Sequence, residues 1–303
     1  MTEQAHWIAV DWGTSRLRVW GLSASNTVLW QRSSEQGMAT LAADAFESAL
    51  LDLVGDGIGS SQTMVIACGM VGARQGWVEA AYRAVPCPPL DDGTLTLAPC
   101  RDPRLLVRVI GGVKQTQPAD VMRGEETQIA GFLALNPNFD GVICLPGSHS
   151  KWVHVSAGEI VSFQTFMTGE LYAALAHHTV LRFSMATDGW DAVAFADGVS
   201  DALSRPEKIA ARLFGLRAEA LLNDLAPTAA ASRLSGCLIG AELAAARPYW
   251  LGQEVALIGA RSIADHYAAA LGLQGVQATI ADAEAMTIRG LIKARALMTE
   301  TTE

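Results

Sequence analysis

Two short turns in the sequence have the composition of a phosphate site. The turn at 13–15 (Gly-Thr-Ser) follows the apolar run 7–10, and the turn at 147–149 (Gly-Ser-His) follows the apolar run 141–145. A tight turn between two strands points several backbone N–H groups into one concavity, where they can bind phosphate without a lysine. Either turn alone could be an ordinary hairpin turn, but two of them at matching positions favour phosphate binding.

The chain also offers a carboxylate for a metal ion. Asp11 stands at the end of the first predicted strand, and Mg²⁺ prefers one or two carboxylates together with water and phosphate oxygens. Neither the pattern GxxxxGK[ST] nor the pattern GxGxxG occurs in the sequence. A Walker P-loop and a Rossmann fold are therefore excluded.

The elements that would position these groups form two similar halves. In the first half, apolar runs bounded by turns predict strands at 7–10, 17–22, 63–68 and 105–110. A helix is predicted from Asp120 to about residue 135, and it carries small residues at Ala130, Gly131 and Ala134. Small side chains allow another helix to approach closely.

The second half restarts the same pattern. Its predicted strands are 141–145, 151–155, 254–258 and 277–280, and its predicted helices are 168–181, 191–203, 206–222, 234–246, 261–271 and 282–297. Each half therefore opens with an apolar strand, a turn with glycine and a hydroxyl residue, and a second strand. This repetition indicates a duplicated domain.

Composition limits the class of protein. The 303 residues suffice for two domains, and the net charge of −9 argues against nucleic-acid binding, which needs a clustered positive surface. The five cysteines have no CxxC spacing, so we expect reduced thiols and no zinc site. The sequence has no leader pattern and no apolar stretch long enough to span a bilayer. We therefore expect a cytoplasmic protein.

At this point the sequence resembles a known family. The order of its motifs resembles that of the sugar kinase/heat-shock/actin superfamily. These motifs are a turn, a helix with small residues, a second turn, a strand that ends in glycine, and a second helix with small residues. More narrowly, the chain resembles the 2-dehydro-3-deoxygalactonokinase family. The matching stretches are WIAVDWGTSRLRVW, GMVGARQGWVEAAY with VPCP, DVMRGEETQIAGFLA, ICLPGSHSKWV with FMTGELYAAL, and VALIGARSIADHY.

This resemblance implies an α/β fold of two duplicated ribonuclease-H-like (actin-like ATPase) domains, residues 1–135 and 136–303. A nucleotide cleft would lie between them, with the last helix, 282–297, at the hinge. The implied activity is ATP- and Mg²⁺-dependent phosphorylation of the 6-hydroxyl of 2-dehydro-3-deoxy-D-galactonate in D-galactonate catabolism. The alternatives are a kinase for another sugar or sugar acid, and an actin-like ATPase that is not a kinase.

The resemblance also assigns residues to ATP. Asp11 would hold Mg²⁺, and Gly259 would let the adenosine pass close to the backbone. The residues expected to bind the phosphates are Gly13, Thr14, Ser15, Gly147, Ser148 and His149. Related kinases often have two adjacent glycines at the adenosine stretch, and this chain has Ala260 as the second residue.

Two roles remain open among several residues. Superfamily kinases place an acidic general base near the start of the first helix with small residues, where this chain has Asp120, Glu125 and Glu126. The position of Gln128 favours Glu126, although each carboxylate could instead cap the helix or face solvent. The candidates for binding the substrate carboxylate are Arg74, Arg123 and Lys151, each of which could also be a solvated surface charge. The expected partners are the sugar acid and ATP, and the oligomeric state is open, with a homodimer as one alternative.

Overall fold

The computed structural model describes residues 3–91, 93 and 95–300, with side chains as far as residue 298. The strands are β1 Trp7–Trp12, β2 Leu17–Leu22, β3 Val28–Ser34, β4 Thr63–Gly69, β5 Arg83–Ala84, β6 Leu95–Leu97, β7 Leu105–Ile110, β8 Val113–Thr116, β9 Ala119–Met122, β10 Gly141–Leu145, β11 Ser150–Ser156, β12 Glu159–Phe166, β13 Val255–Gly259 and β14 Ala278–Asp282. The helices are α1 Phe46–Val54, α2 Glu125–Leu135, α3 Thr168–His178, α4 Ala192–Ser204, α5 Ile209–Leu222, α6 Pro227–Ala245, α7 Arg247–Trp250, α8 Arg261–Gly272 and α9 Ala283–Glu300.

The first sheet has the strand order β3-β2-β1-β4-β7-β6. Strand β1 pairs antiparallel with β2 and parallel with β4, and Asp11 lies opposite Cys68 in the parallel pair. These central strands are apolar on both faces because helices cover both sides of the sheet. The carboxyl ends of β1 and β4 therefore lie side by side.

The second sheet repeats this plan with the order β12-β11-β10-β13-β14. Strand β10 pairs antiparallel with β11 and parallel with β13. In each of these two sheets, the first three strands along the chain form a meander. The first strand of the meander also pairs in parallel with a later strand, β1 with β4 and β10 with β13. This is the ribonuclease-H-like arrangement. The prediction of a duplicated α/β fold is confirmed.

The core of the first sheet consists of two layers. On one face Trp12 packs against Phe46 of α1, with ring centroids 5.2 Å apart. On the other face Trp7 and Trp20 belong to a cluster that includes residues of α2 and α9. Alternate residues of β1 thus point into different layers, as the strand pleat requires.

Helices α2 and α9 cross at unusually short range. A Cβ placed on Gly131 would lie 2.0 Å from the carbonyl oxygen of Met286, and one on Gly290 would lie 1.9 Å from the carbonyl oxygen of Thr127. Neither contact could accommodate a methyl group without moving a backbone. The two glycines therefore permit this crossing, as the small residues of the predicted helix suggested.

Contacts divide the chain into two units. Unit 1 comprises described residues within 1–139, 156–162 and 283–303, and unit 2 comprises those within 140–155 and 163–282. Helix α9 is grouped with unit 1 because it packs on α2 and on the first sheet. A domain boundary at 135/136 and a hinge role for the last helix stay predictions.

Two predicted helix starts were wrong, and several strands were not predicted. The helix predicted to begin at Asp120 begins at Glu125, because 119–122 form β9 and pair with β8 instead. Strands β3, β8 and β12 were not predicted, and β3 lies partly exposed at the edge of the first sheet. Helix α6 begins at Pro227, where proline suits the first helical turn, and not at residue 234.

All five cysteines are free thiols. Within the described part of the chain, none of the helices combines the length and the hydropathy needed to cross a membrane.

Candidate active site

The turn at 13–15 in unit 1 is held in place by its backbone. Gly13 N–H donates to the Arg16 carbonyl oxygen at 2.9 Å, and the Gly13 and Thr14 carbonyls accept from Met38 N–H and Ala39 N–H, each at 3.0 Å. Thr14 and Ser15 remain exposed. The turn thus has a fixed backbone and an open outer face, as a phosphate-binding turn needs.

Asp11 lies at the end of β1 beside this turn. Its carboxylate forms an ion pair with Arg18, which also lies 3.7 Å from Glu284. Burial raises the pKa of Asp11, and the guanidinium of Arg18 opposes this effect. The other carboxylate oxygen, Oδ1, lies 3.9 Å from the Cys68 sulfur.

Two glycines bring the start of α2 onto the end of β4. Gly69 and Gly124 have positive φ angles of 90° and 108°, a conformation that side chains disfavour. A Cβ on Gly124 would lie 3.4 Å from the Gly69 Cα, and one on Gly69 would lie 3.4 Å from Asp11 Oδ1. The carboxylates that begin α2 are therefore placed near Asp11.

Glu126 is fully buried at the first turn of α2. Its two carboxylate oxygens accept from Gly124 N–H at 2.9 and 2.7 Å, and Oε1 also accepts from the Thr127 hydroxyl at 3.0 Å. Burial, followed by the nearby Glu125 carboxylate, raises the pKa of Glu126 to about 7. Glu126 thus caps its own helix with a carboxyl group that titrates near neutrality.

Glu125 and Asp120 lie in different surroundings. Glu125 is half-buried, and its Oε2 accepts from Arg123 N–H at 3.0 Å. Asp120 lies on β9, where its Oδ1 accepts from Val121 N–H at 2.8 Å. It is therefore not the N-cap of α2, and the two glutamates are the carboxylates at the start of this helix.

We expect Glu126→Gln to weaken the pH dependence of the free energy of unfolding. The pKa of Glu126 is about 7 in the folded protein against an ordinary value of 4.5. At pH values between these two, the folded protein therefore binds more protons than the unfolded chain. Stability should fall as the pH rises through this interval, by roughly 3 kcal/mol at most. The neutral amide should remove the fall. Urea unfolding of the wild type and the variant at acid and neutral pH measures this difference. The same loss of stability with rising pH in both proteins would contradict the assignment.

The three candidate cations have different environments. Arg123 is buried, its Nη2 donates to the Ala80 carbonyl oxygen at 2.9 Å, and its guanidinium carbon lies 4.2 Å from the Tyr82 ring centroid. Its Nε and Nη1 have no hydrogen-bond partner among the described residues. Arg74 is exposed beside Glu79, at 3.4 Å. Lys151 is buried on β11 in unit 2, so Arg74 and Arg123 are the two of these three candidates that lie in unit 1.

The turn at 147–149 in unit 2 packs on the start of α3. A Cβ on Gly169 would lie 2.3 Å from the Gly147 carbonyl oxygen, and Glu170 N–H donates to the Ser148 carbonyl at 2.9 Å. The His149 ring contacts the Glu170 carboxylate at 2.5 Å. This turn therefore abuts the N-terminus of a helix, where backbone N–H groups favour an anion.

A cavity of about 260 Å³ opens beside this turn within unit 2. Gly147 of the turn lines this cavity, and so do Trp190 and His266. The rings of Trp190 and His266 stack on each other with centroids 3.8 Å apart. Gly259, which we expected at the adenosine, does not line this cavity. A Cβ there would lie 3.1 Å from Pro146 Cγ, so this glycine gives room to the residue before the turn.

The cavity is backed by a buried carboxylate that sequence reasoning missed. Glu242 of α6 accepts four hydrogen bonds: from Ser150 Oγ at 2.7 Å, from Trp152 Nε1 at 2.8 Å, from Tyr267 OH at 2.8 Å and from Thr168 Oγ1. Burial raises its pKa, and these donors oppose the effect. The signal in the sequence that could have indicated a buried carboxylate is a glutamate in a helix made mostly of small and apolar residues.

Two ribonuclease-H-like sheets, each with a glycine-containing turn after its first strand, define a protein of the actin-like ATPase fold. The comparisons specify it further. A model of the family described as 2-keto-3-deoxy-galactonokinase matches residues 11–294. The chain belongs to this family, as its resemblance suggested, and it is a phosphotransferase with an alcohol acceptor.

Three similar proteins support this assignment. A Rhizobium meliloti (strain 1021) protein described as a probable 2-dehydro-3-deoxygalactonokinase is 37% identical over 96% of this chain and 97% of its own length. The 2-dehydro-3-deoxygalactonokinase of Escherichia coli (strain K12) is 34% identical over 91% and 92%. A crystal structure of a Sinorhizobium meliloti protein assigned the same activity matches with a TM-score of 0.87 and 38% identity, covering 95% of both chains.

Proposed function

We propose that this protein transfers the γ-phosphoryl group of ATP to the 6-hydroxyl of 2-dehydro-3-deoxy-D-galactonate, within D-galactonate catabolism. The family match over residues 11–294, together with relatives similar over at least 91% of the chain, carries the proposal and favours it over another sugar kinase or an ATPase without an acceptor. A coupled assay of ADP release across 2-keto-3-deoxy sugar acids tests it. ADP release at the same rate with and without an added sugar acid would contradict the proposal.

ATP would bind unit 2 along the cavity and the adjoining turn. The aromatic pair Trp190 and His266 offers a surface for the base, and the turn of Gly147, Ser148 and His149 offers N–H groups for phosphate. Gly259 would act indirectly, by allowing Pro146 to pack and so shaping this turn. In unit 1, Gly13, Thr14 and Ser15 would contribute the other phosphate contacts.

Asp11 is the residue we assign to Mg²⁺. No cluster of three histidine, cysteine or acidic residues suited to a metal occurs among the described residues. Asp11 stands at the end of β1 beside the turn 13–15, which fits an ion held by one carboxylate, water and nucleotide oxygens. When bound, Mg²⁺ would neutralise charge on the phosphates.

Glu125 is the group we propose as the general base. A base must reach the attacking hydroxyl, and Glu125 is half-buried while Glu126 is fully buried and hydrogen-bonded through both oxygens. As the 6-oxygen forms its bond to the γ-phosphorus and the bond to ADP breaks, the hydroxyl proton would pass to the carboxylate. Structure thus moves our preference from Glu126 to Glu125.

We expect Arg123→Ala to raise the KM for the sugar acid by about 10-fold or more, since a hydrogen bond to a charged group contributes about 1.5–3 kcal/mol. The reason is that Nε and Nη1 of this buried guanidinium have no hydrogen-bond partner within the described ranges of the chain, and that Arg123 lies next to the start of α2. Steady-state kinetics with each substrate varied measures this, and the KM for ATP should stay unchanged.

Arg74→Ala is the matched control, because Arg74 is an exposed arginine of the same unit. Arg123→Lys, which keeps a positive charge, should recover part of the affinity. Should both alanine variants keep the wild-type KM for the sugar acid, the carboxylate partner is another cation, and Lys151 would then be the one to test.

We further propose that the enzyme works in the cytoplasm with small molecules as its partners, which its membership of a metabolic kinase family supports. A homodimer stays a prediction.

A further inference from the structure

The buried carboxylate of Glu242 governs two hydroxyl groups in the wall of the cavity. Of its four donors, Thr168 and Tyr267 line the cavity, whereas Ser150 and Trp152 lie behind it. Glu242 itself is 3% exposed and does not line the cavity. It can therefore influence a ligand only through the groups that it holds.

A hydroxyl group has one proton to donate and two lone pairs to accept with. A charged acceptor makes the stronger hydrogen bond, so the protons of Thr168 and Tyr267 are directed to Glu242. Toward a ligand in the cavity that they line, their oxygens can then act only as acceptors. The wall at this point is complementary to a ligand that donates hydrogen bonds.

The position of Thr168 indicates which part of a nucleotide meets this wall. Thr168 precedes Gly169, whose Cα packs on Gly147 and Ser148 of the phosphate turn. In a nucleotide the ribose follows the phosphates, and its 2′- and 3′-hydroxyls are hydrogen-bond donors. The base would then lie toward Trp190 and His266.

We propose that Glu242 is a positioning residue that fixes the hydroxyls of Thr168 and Tyr267 as acceptors for the ribose hydroxyls of the nucleotide. The site thereby selects ribonucleotides over deoxyribonucleotides. This inference rests on the proposed binding of ATP in the cavity of unit 2.

The test compares ATP with 2′-deoxy-ATP and 3′-deoxy-ATP as phosphoryl donors. In the wild-type enzyme, kcat/KM should favour ATP by about 3- to 10-fold over the analogue that lacks the bonded hydroxyl, as expected for one hydrogen bond. Tyr267→Phe or Thr168→Val should bring that ratio close to one. A role in folding alone would lower kcat/KM for all three nucleotides in parallel.

Glu242→Gln tests the positioning role itself. Because Trp152 Nε1 can only donate, the amide oxygen should face it, and the amide nitrogen would then donate to the hydroxyls. Their protons would turn to the cavity, and the ribose hydroxyls would have to accept from them where they had donated before. The preference for ATP should therefore depart from the wild-type ratio although both hydroxyls remain. A Glu242→Gln enzyme with the wild-type ratio would overturn the proposal, as would a wild-type enzyme that uses all three nucleotides equally.

Two further variants separate this proposal from the one on which it rests. Ser235→Phe adds bulk to the cavity wall and should raise the KM for ATP; an unchanged KM would show that ATP binds elsewhere. Tyr249→Phe is the matched control, since Tyr249 packs on the same core as Tyr267 but does not line the cavity. Its nucleotide ratio should equal that of the wild type, and a loss there would also count against the role of Glu242.

Discussion

Glu125→Gln is expected to lower kcat by about 10²- to 10⁴-fold, the usual contribution of a general base. The amide keeps the shape of the side chain and cannot accept the proton of the 6-hydroxyl. Binding of ATP should change little, because the cavity proposed for its base and ribose lies in unit 2, whereas Glu125 lies in unit 1. Single-turnover measurement at saturating ATP and sugar acid isolates this effect on the chemical step.

Glu126→Gln and Asp120→Asn are the matched controls. Glu126 is buried at the same helix start, and Asp120 lies on β9, so each should keep kcat within about 10-fold of the wild type, below the range for a base. A large loss in Glu126→Gln with a mild effect in Glu125→Gln would return the role to Glu126. Three mild variants would mean that substrate positioning and Mg²⁺ carry the catalysis without a carboxylate base.

Asp11→Ala is expected to reduce turnover by about 10²- to 10³-fold, because a bound metal ion stabilises transition-state charge by several kcal/mol. The fold should persist, since Arg18 is partly exposed and keeps Glu284 at 3.7 Å. The Mg²⁺ concentration that gives half-maximal rate should rise in the variant. Titration of activity with Mg²⁺ at fixed ATP measures this shift.

Asp56→Ala provides the control for Asp11→Ala. Asp56 also pairs with an arginine of unit 1, Arg32 at 2.9 Å, but its side chain is exposed. Its loss should leave both the turnover and the Mg²⁺ dependence unchanged. An Asp11→Ala enzyme with wild-type activity and Mg²⁺ dependence would remove Asp11 from the site.

The central strands of the two main sheets, and the turns that follow β1 and β10, were predictable because their signals are local. The predicted ranges of β7 and β10 match the observed strands residue for residue. Strand β10 is buried and apolar throughout, as a strand covered on both faces must be. The glycine turns that follow β1 and β10 were equally visible. Repetition of these short patterns was enough to predict a duplicated fold.

The features that were missed depend on contacts between distant residues. Asp120 followed by an apolar run resembles a helix start, but pairing with β8 makes it part of a strand. The wall of the cavity joins residues from α3, α6 and α8 and the 186–190 segment, and no spacing along the chain relates them. Glu125 and Glu126 are adjacent residues of the same type, so the sequence does not distinguish them. Their different burial in the structure does.

The packing of α9 on unit 1 affects how the nascent chain can fold. Residues such as Leu291 and Ala294 complete a layer of the unit 1 core with Trp7 and Trp20, yet the ribosome adds them only after all of unit 2 has been made. Domains often fold in the order of their synthesis, but here the N-terminal unit must wait for the later one. During translation its uncovered apolar face would be a binding surface for chaperones.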